Sequence, residues 1–136
     1  MSILTASLSV PVFAHTDCDA TKLHDYMEDM KTDLKSLSFE IRTGNTENAL
    51  TRIDSIQNYL MLSRDEMPYL FNHKELLDDE LTKRKADYQN AIDKTSDVFA
   101  ELKVAITDGD QAKIKSLIKK VGKLRKVGHR TFQYEC

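Results

Sequence analysis

The most constraining feature of the sequence is an apolar stripe that repeats every three or four residues. Its spacings between residues 19 and 42 are 4, 3, 4, 3 and 4, which place all members on one face of an α-helix. These members are Leu23, Met27, Met30, Leu34, Leu37 and Ile41. No run of alternating Val, Ile and Thr residues, which would indicate a strand, occurs in the sequence. The pattern therefore predicts an all-α protein.

Turn and capping residues divide the chain into four helices. Asp17 or Asp19 is expected to cap the first helix and Thr46 the second, and Gly109 separates the last two. The link over residues 67–74 carries aromatic side chains that should close one end of the molecule. Long helices with short connections favour an antiparallel up-down-up-down four-helix bundle. The predicted helices cover residues 19–42, 46–66, 75–107 and 110–136.

Residues 1–14 differ from the rest because they are apolar or small and contain no charged residue. The segment ends in Ala14, with Val12 two positions earlier, which is typical of a signal-peptide cleavage site. The usual basic start is missing, so either the true start lies upstream or the segment is an apolar N-terminus of another kind. We expect a cleaved signal and a single exported domain over residues 15–136.

A second stripe on the fourth helix loses its aliphatic character toward the C-terminus. Gly122 and Gly128 each cost about 1 kcal/mol relative to Ala inside a helix. The stripe either makes room for a flat ligand, with His129 as a metal ligand, or faces water at a frayed helix end. Its members are Ile118, Gly122, Arg125, His129, Phe132 and Cys136.

Met27 and His129 become informative as a pair. Met27 alone would be an ordinary core residue. In an antiparallel bundle, however, the start of the first helix lies beside the end of the last helix, so both residues should face inward at the same end. Met and His are a known pair of axial ligands for haem iron.

Three segments of the chain resemble the cytochrome b562 family of periplasmic haem proteins. The matching segments are residues 23–28 (LHDYME), 49–53 (ALTRI) and 125–129 (RKVGH). The resemblance implies one haem b per chain with Met27 and His129 as axial ligands. Because the sequence has no Cys-x-x-Cys-His motif, the haem is expected to be bound without covalent thioether links.

The resemblance also implies which residues surround the haem. It places Arg125 beside the porphyrin and Tyr88 and Ile92 in the apolar wall, and Gly122 would leave room for the ring. The implied function is single-electron transfer by a monomeric periplasmic protein, because two axial ligands leave no open position for enzymatic chemistry. The competing hypothesis is a haem-free exported bundle that serves as a binding or stress-related module.

The two cysteines fall at the same predicted end of the bundle as the two ligands. Cys18 precedes Met27 by nine residues and Cys136 follows His129 by seven. In an oxidising compartment we expect a disulfide between them, worth about 4–5 kcal/mol in the chain-entropy model. The alternative is two separate thiols at frayed ends.

The charges of the first and last helices have opposite signs, although the whole chain has a net charge of only −2. Attraction between these two neighbours accounts for both without any partner. The alternative is that the basic last helix docks an acidic redox partner. A nucleic-acid partner is excluded because the basic face has no stacking aromatics and the chain is net acidic. No insertion into a membrane is expected after signal removal.

Overall fold

The computed structural model describes residues 21–68, 71 and 77–132. The predicted signal at residues 1–14, Cys18 and Cys136 lie outside the described residues. The described part of the chain contains four helices and no strand, which confirms the all-α bundle prediction. The helices are α1 (Lys22–Thr43), α2 (Thr46–Arg64), α3 (Asp78–Asp108) and α4 (Gln111–Phe132).

The first two helices begin at polar caps that differ from the predicted ones. Thr21 caps α1, because its hydroxyl accepts a hydrogen bond from the backbone N–H of His24 at 3.1 Å. The predicted cap, Asp17 or Asp19, was therefore wrong. Asn45 caps α2, one position before the predicted cap Thr46, which is instead the first helical residue.

Two glycines end helices, and the sequence predicted this role for Gly109. Gly44 and Gly109 follow α1 and α3 with φ angles of 73° and 67°, a left-handed conformation that costs glycine little. Asp110 then accepts a hydrogen bond from the backbone N–H of Lys113 and caps α4. These short turns reverse the chain, so that α1 is antiparallel to α2 and α3 is antiparallel to α4.

The apolar stripes meet in one core. Leu77 precedes Leu81 by four residues, and this spacing predicts that it belongs to the apolar stripe of α3. That prediction is wrong: Leu77 is 80% exposed, because it lies at the N-cap position before the helix begins. Phe71, from the predicted aromatic link, is buried and closes one end of the core as expected. The apolar residues buried most deeply are Ala49, Ile53, Ile56, Phe99, Leu102 and Ala105.

The four helices do not pack equally closely. Among the described residues, α1 packs closely against α2, α2 against α3, and α3 against α4, but α1 and α4 lack a comparable backbone approach. The first and last helices therefore border a looser interface. No described helix is long and apolar enough to span a bilayer.

Candidate functional site

The register between α1 and α4 brings Met27 and His129 to the same level. Ser38 of α1 and Ile118 of α4 line one small groove between these antiparallel helices. Met27 lies eleven residues before Ser38, and His129 lies eleven residues after Ile118. Eleven residues are about three helical turns, so each step returns to the same helix face. Both predicted ligands thus border the looser α1–α4 interface at one height.

Met27 lies on the inward stripe of α1. Its side chain is half-buried and packs against the apolar core. Met30, one turn further along, is more deeply buried and belongs to that core. Met27 is therefore the more exposed of the two methionines, whereas Met30 is a packing residue.

His129 lies exposed in the last turn of α4. Partial desolvation of the imidazole by its surroundings lowers its pKa, and the nearby charge of Arg125 lowers it further. Both effects favour the neutral ring, which is the form that binds metals. The role of His129 as a metal ligand stays a prediction from the sequence.

Free space lies next to His129. Gly128 occupies the inward line of α4 between the half-buried residues Leu124 and Phe132. A Cβ atom built on Gly128 would meet no other atom within 4 Å, although its position points toward the bundle. The missing side chain therefore leaves open space at this point of α4, one residue before His129.

Tyr88 and Ile92 of α3 form a buried wall at this end of the bundle. The Tyr88 ring packs edge-on against Phe132 with 5.5 Å between centroids, and Phe71 packs against both rings. The hydroxyl of Tyr88 donates a hydrogen bond to the backbone carbonyl of Ser63. This bond gives the buried Tyr88 hydroxyl the hydrogen-bond partner that it needs. Burial also raises the pKa of Tyr88.

Ser63 is a residue that the sequence did not single out. It is fully buried at the end of α2, and its own side-chain hydroxyl is the one buried side-chain polar atom without a hydrogen-bond partner in the described part of the chain. An orphaned buried hydroxyl is costly and adds a polar group to this otherwise aromatic end. Nothing in its sequence context distinguishes it from an exposed helical serine.

Gly122 and Arg125 lie on the flank of α4 that leads from Ile118 to His129, and both are exposed. A Cβ atom on Gly122 would meet nothing within 4 Å. Gly122 therefore borders the interface at its surface. Arg125, one turn before His129, is close enough to influence the imidazole charge.

The fold and site together define a four-helix bundle with a Met and a neutral His beside an open interface between its first and last helices. This class of site suits a haem, because the donors are a thioether and an imidazole and the adjacent wall is apolar. Residues 22–133 match the family model described as cytochrome b562. The match covers most of the chain, so the chain belongs to the cytochrome b562 family. No curated protein and no solved structure matches it.

Membership of this family gives the general function. The protein is a small b-type haem-binding cytochrome of the electron-transfer kind. The family carries electrons and is not typically enzymatic.

Proposed function

We propose that the protein transfers single electrons through one non-covalent haem b whose axial ligands are Met27 and His129. The observation that carries the proposal is their shared level across the α1–α4 interface, where the two helices do not pack closely. Bound haem supplies an iron that cycles between its ferric and ferrous states. The gap beside Gly128 provides room for the ring on the side of His129.

The residues of the chain set the conditions of this electron transfer. The thioether of Met27 favours the reduced iron and so raises the reduction potential. His129 offers a neutral nitrogen because partial desolvation of the ring and the charge of Arg125 disfavour its protonation. Tyr88 and Ile92 keep water away from this end of the bundle. With both axial positions filled, no site remains for a substrate.

Absorption spectra of the full chain purified with added haem test the proposal. We expect the sharp reduced bands of a low-spin haem with Met and His ligands. His129→Ala should abolish these bands, whereas His24→Ala, a control on the same end of the bundle, should retain them. A colourless protein that takes up no haem would refute haem binding, and an unchanged spectrum in His129→Ala would refute the ligand assignment.

We also propose export to the periplasm, with cleavage after Ala14. The apolar, uncharged segment over residues 1–14 supports this proposal. Sequencing the N-terminus of the protein recovered from the periplasmic fraction should begin at His15. Recovery of uncleaved protein in the cytoplasm alone would contradict export.

A disulfide between Cys18 and Cys136 is the companion proposal, supported by their similar separations from Met27 and His129 along the sequence. Alkylation of the exported, unfolded protein without reductant should label neither cysteine, and prior reduction should expose both. Labelling of both cysteines without reductant would contradict the pairing.

A further inference from the structure

The charge of the molecule is concentrated on one helix. Helix α4 carries eight Lys and Arg residues and no Asp or Glu, which gives it a charge of +8 when His129 is neutral. The whole chain has 20 basic and 22 acidic residues, so the remainder has 12 basic and 22 acidic residues and a charge of −10. The small net charge of −2 is therefore the sum of a strongly basic helix and a strongly acidic remainder.

The cations of α4 line up opposite the core. Ile114, Leu117 and Val121 are the buried residues of this helix. Five exposed cations follow one another at spacings of 4, 4, 3 and 4 on the opposite side, and we call them the basic stripe. From Lys115 to Arg130 the stripe is about 22 Å long at 1.5 Å per residue. Its members are Lys115, Lys119, Lys123, Lys126 and Arg130.

The basic stripe has no acidic partner among the described residues. The ion pairs found there join α1 to α2 and α2 to α3, as in Asp33–Arg52 and Asp54–Lys103. None joins α1 to α4. The expectation that the acidic first helix neutralises the basic last helix is therefore not met by direct ion pairs. Five exposed cations on one face instead form a surface that attracts anions.

The basic stripe passes close to the proposed iron ligand. Lys126 is one turn before His129, and Arg130 is the next residue after it. Val127, which is 52% exposed, provides an apolar contact one turn beyond Lys123. A partner seated on this surface would lie against the helix that supplies the ligand.

We infer that the basic stripe is the docking surface for an electron-transfer protein with an acidic face. This inference rests on the proposed function. Charge attraction over a mostly hydrated surface produces fast, weak and salt-sensitive encounters, as electron carriers require. A membrane surface is less suitable, because an interfacial helix inserts its apolar face into lipid and that face of α4 is buried in the bundle.

The sign of the salt dependence tests the inference in the haem-loaded protein. Ferricyanide, a trianion, should oxidise the reduced protein fastest at low ionic strength, and the rate should fall about fivefold between 10 and 200 mM salt as the stripe is screened. The net charge of −2 alone would produce the opposite trend. A rate that stays constant or rises with salt would overturn the inference.

Charge-reversal variants locate the surface. Lys119→Glu, Lys123→Glu and Lys126→Glu together should reverse the salt dependence. The control variant makes the same charge change at exposed positions of α3, by Lys83→Glu, Lys85→Glu and Lys94→Glu. In this control the rate should still fall as the salt concentration rises. Equal effects of the two variants would refute the assignment to α4. If the first variant does not fold, the three corresponding Lys→Gln substitutions should flatten the dependence.

A titration that needs no haem separates this inference from the proposed function. A poly-L-glutamate peptide added to the full chain should shift backbone amide signals of residues 115–130, and the α4 triple variant should weaken binding at least about tenfold. Absence of binding at low salt, or binding that the variant does not weaken, overturns the inference. Tighter binding to vesicles with 30% phosphatidylglycerol than to the peptide would identify a membrane surface instead.

Discussion

Tyr88 of α3 donates a hydrogen bond to the backbone carbonyl of Ser63 in the last turn of α2. The same tyrosine ring packs edge-on against Phe132 of α4. One side chain thus connects three helices at the end of the bundle that carries His129. The hydrogen bond is buried, because Tyr88 is only 3% exposed. Packing of the surrounding side chains therefore holds Tyr88 and Ser63 in place together with the bond itself.

Replacing Tyr88 by Phe tests this connection. At neutral pH we expect Tyr88→Phe to lower the free energy of unfolding by about 1 kcal/mol, the net value of one hydrogen bond. Burial raises the pKa of Tyr88 above its usual value of 10, so the unfolded chain loses the phenolic proton first. The stability that depends on this proton is complete below pH 10 and decreases as pH rises further.

Urea unfolding at pH 7 and at several values above pH 9 provides the measurement. The wild-type protein should lose more stability than Tyr88→Phe over the alkaline range, because the variant has no buried phenol to ionise. Parallel alkaline profiles for the two proteins would show that Tyr88 is not protected by the fold.

Met27 and Met30 form a matched pair for testing iron ligation. Leu has nearly the same volume as Met, so each Met→Leu substitution should cost less than about 1.5 kcal/mol in packing. Met27→Leu should nevertheless remove the low-spin Met/His spectrum and lower the reduction potential. Met30→Leu should leave both unchanged, although Met30 is the more buried residue. A spectral change in Met30→Leu but not in Met27→Leu would show that Met30 is the iron ligand and Met27 the packing residue.

Gly128 tests whether the open space beside His129 is the binding site. Gly128→Leu should not destabilise the haem-free protein, because no atom lies within 4 Å of the added Cβ and Gly is about 1 kcal/mol worse than Ala in a helix. The larger side chain should weaken haem binding at least about tenfold by occupying the gap. Gly128→Ala, the control, should weaken it much less. Haem titrations with thermal melts distinguish the two effects, and undiminished haem uptake by Gly128→Leu would place the ring elsewhere.

Asp33 should be the carboxylate that contributes most to the α1–α2 interface. It is 7% exposed and accepts hydrogen bonds from Ser55 at 2.6 Å and from Arg52 at 3.4 Å. We expect Asp33→Ala to cost about 2 kcal/mol, since it leaves the half-buried donors Ser55 and Arg52 without their acceptor. Asp54→Ala removes an exposed ion pair with Lys103 and should cost less than about 1 kcal/mol. Chemical denaturation of the two variants measures the difference.

The helical period explains why the apolar core could be predicted. Residues spaced by 3 and 4 must share a helix face, so Met30 and Leu37 were identified without knowledge of their partners. The same rule failed at Leu77, because the pattern continues past the point where the backbone leaves the helix. Thr21 was missed as a cap because aspartates nearby satisfy the same preference.

Contacts between helices were harder to predict from the sequence than the helices themselves. Whether Ser63 meets Tyr88 depends on how far α2 slides along α3, and neither helix encodes that displacement alone. The unpartnered state of the basic stripe likewise depends on the separation of α1 from α4. The proposed ligands were easier to predict, since antiparallel order alone brings Met27 and His129 to one end.

The looser packing between α1 and α4 has a consequence for the haem-free molecule. Three close interfaces join the helices in series, so the circle of contacts around the bundle is incomplete. A ligand held by one residue from each terminal helix would complete it and stabilise the folded state by an amount that grows with the logarithm of the ligand concentration once that exceeds the dissociation constant. Before that event, amide protons near Met27 and His129 should exchange with solvent sooner than those around Ile53 and Phe99. Haem binding and the final stage of folding would then be thermodynamically coupled.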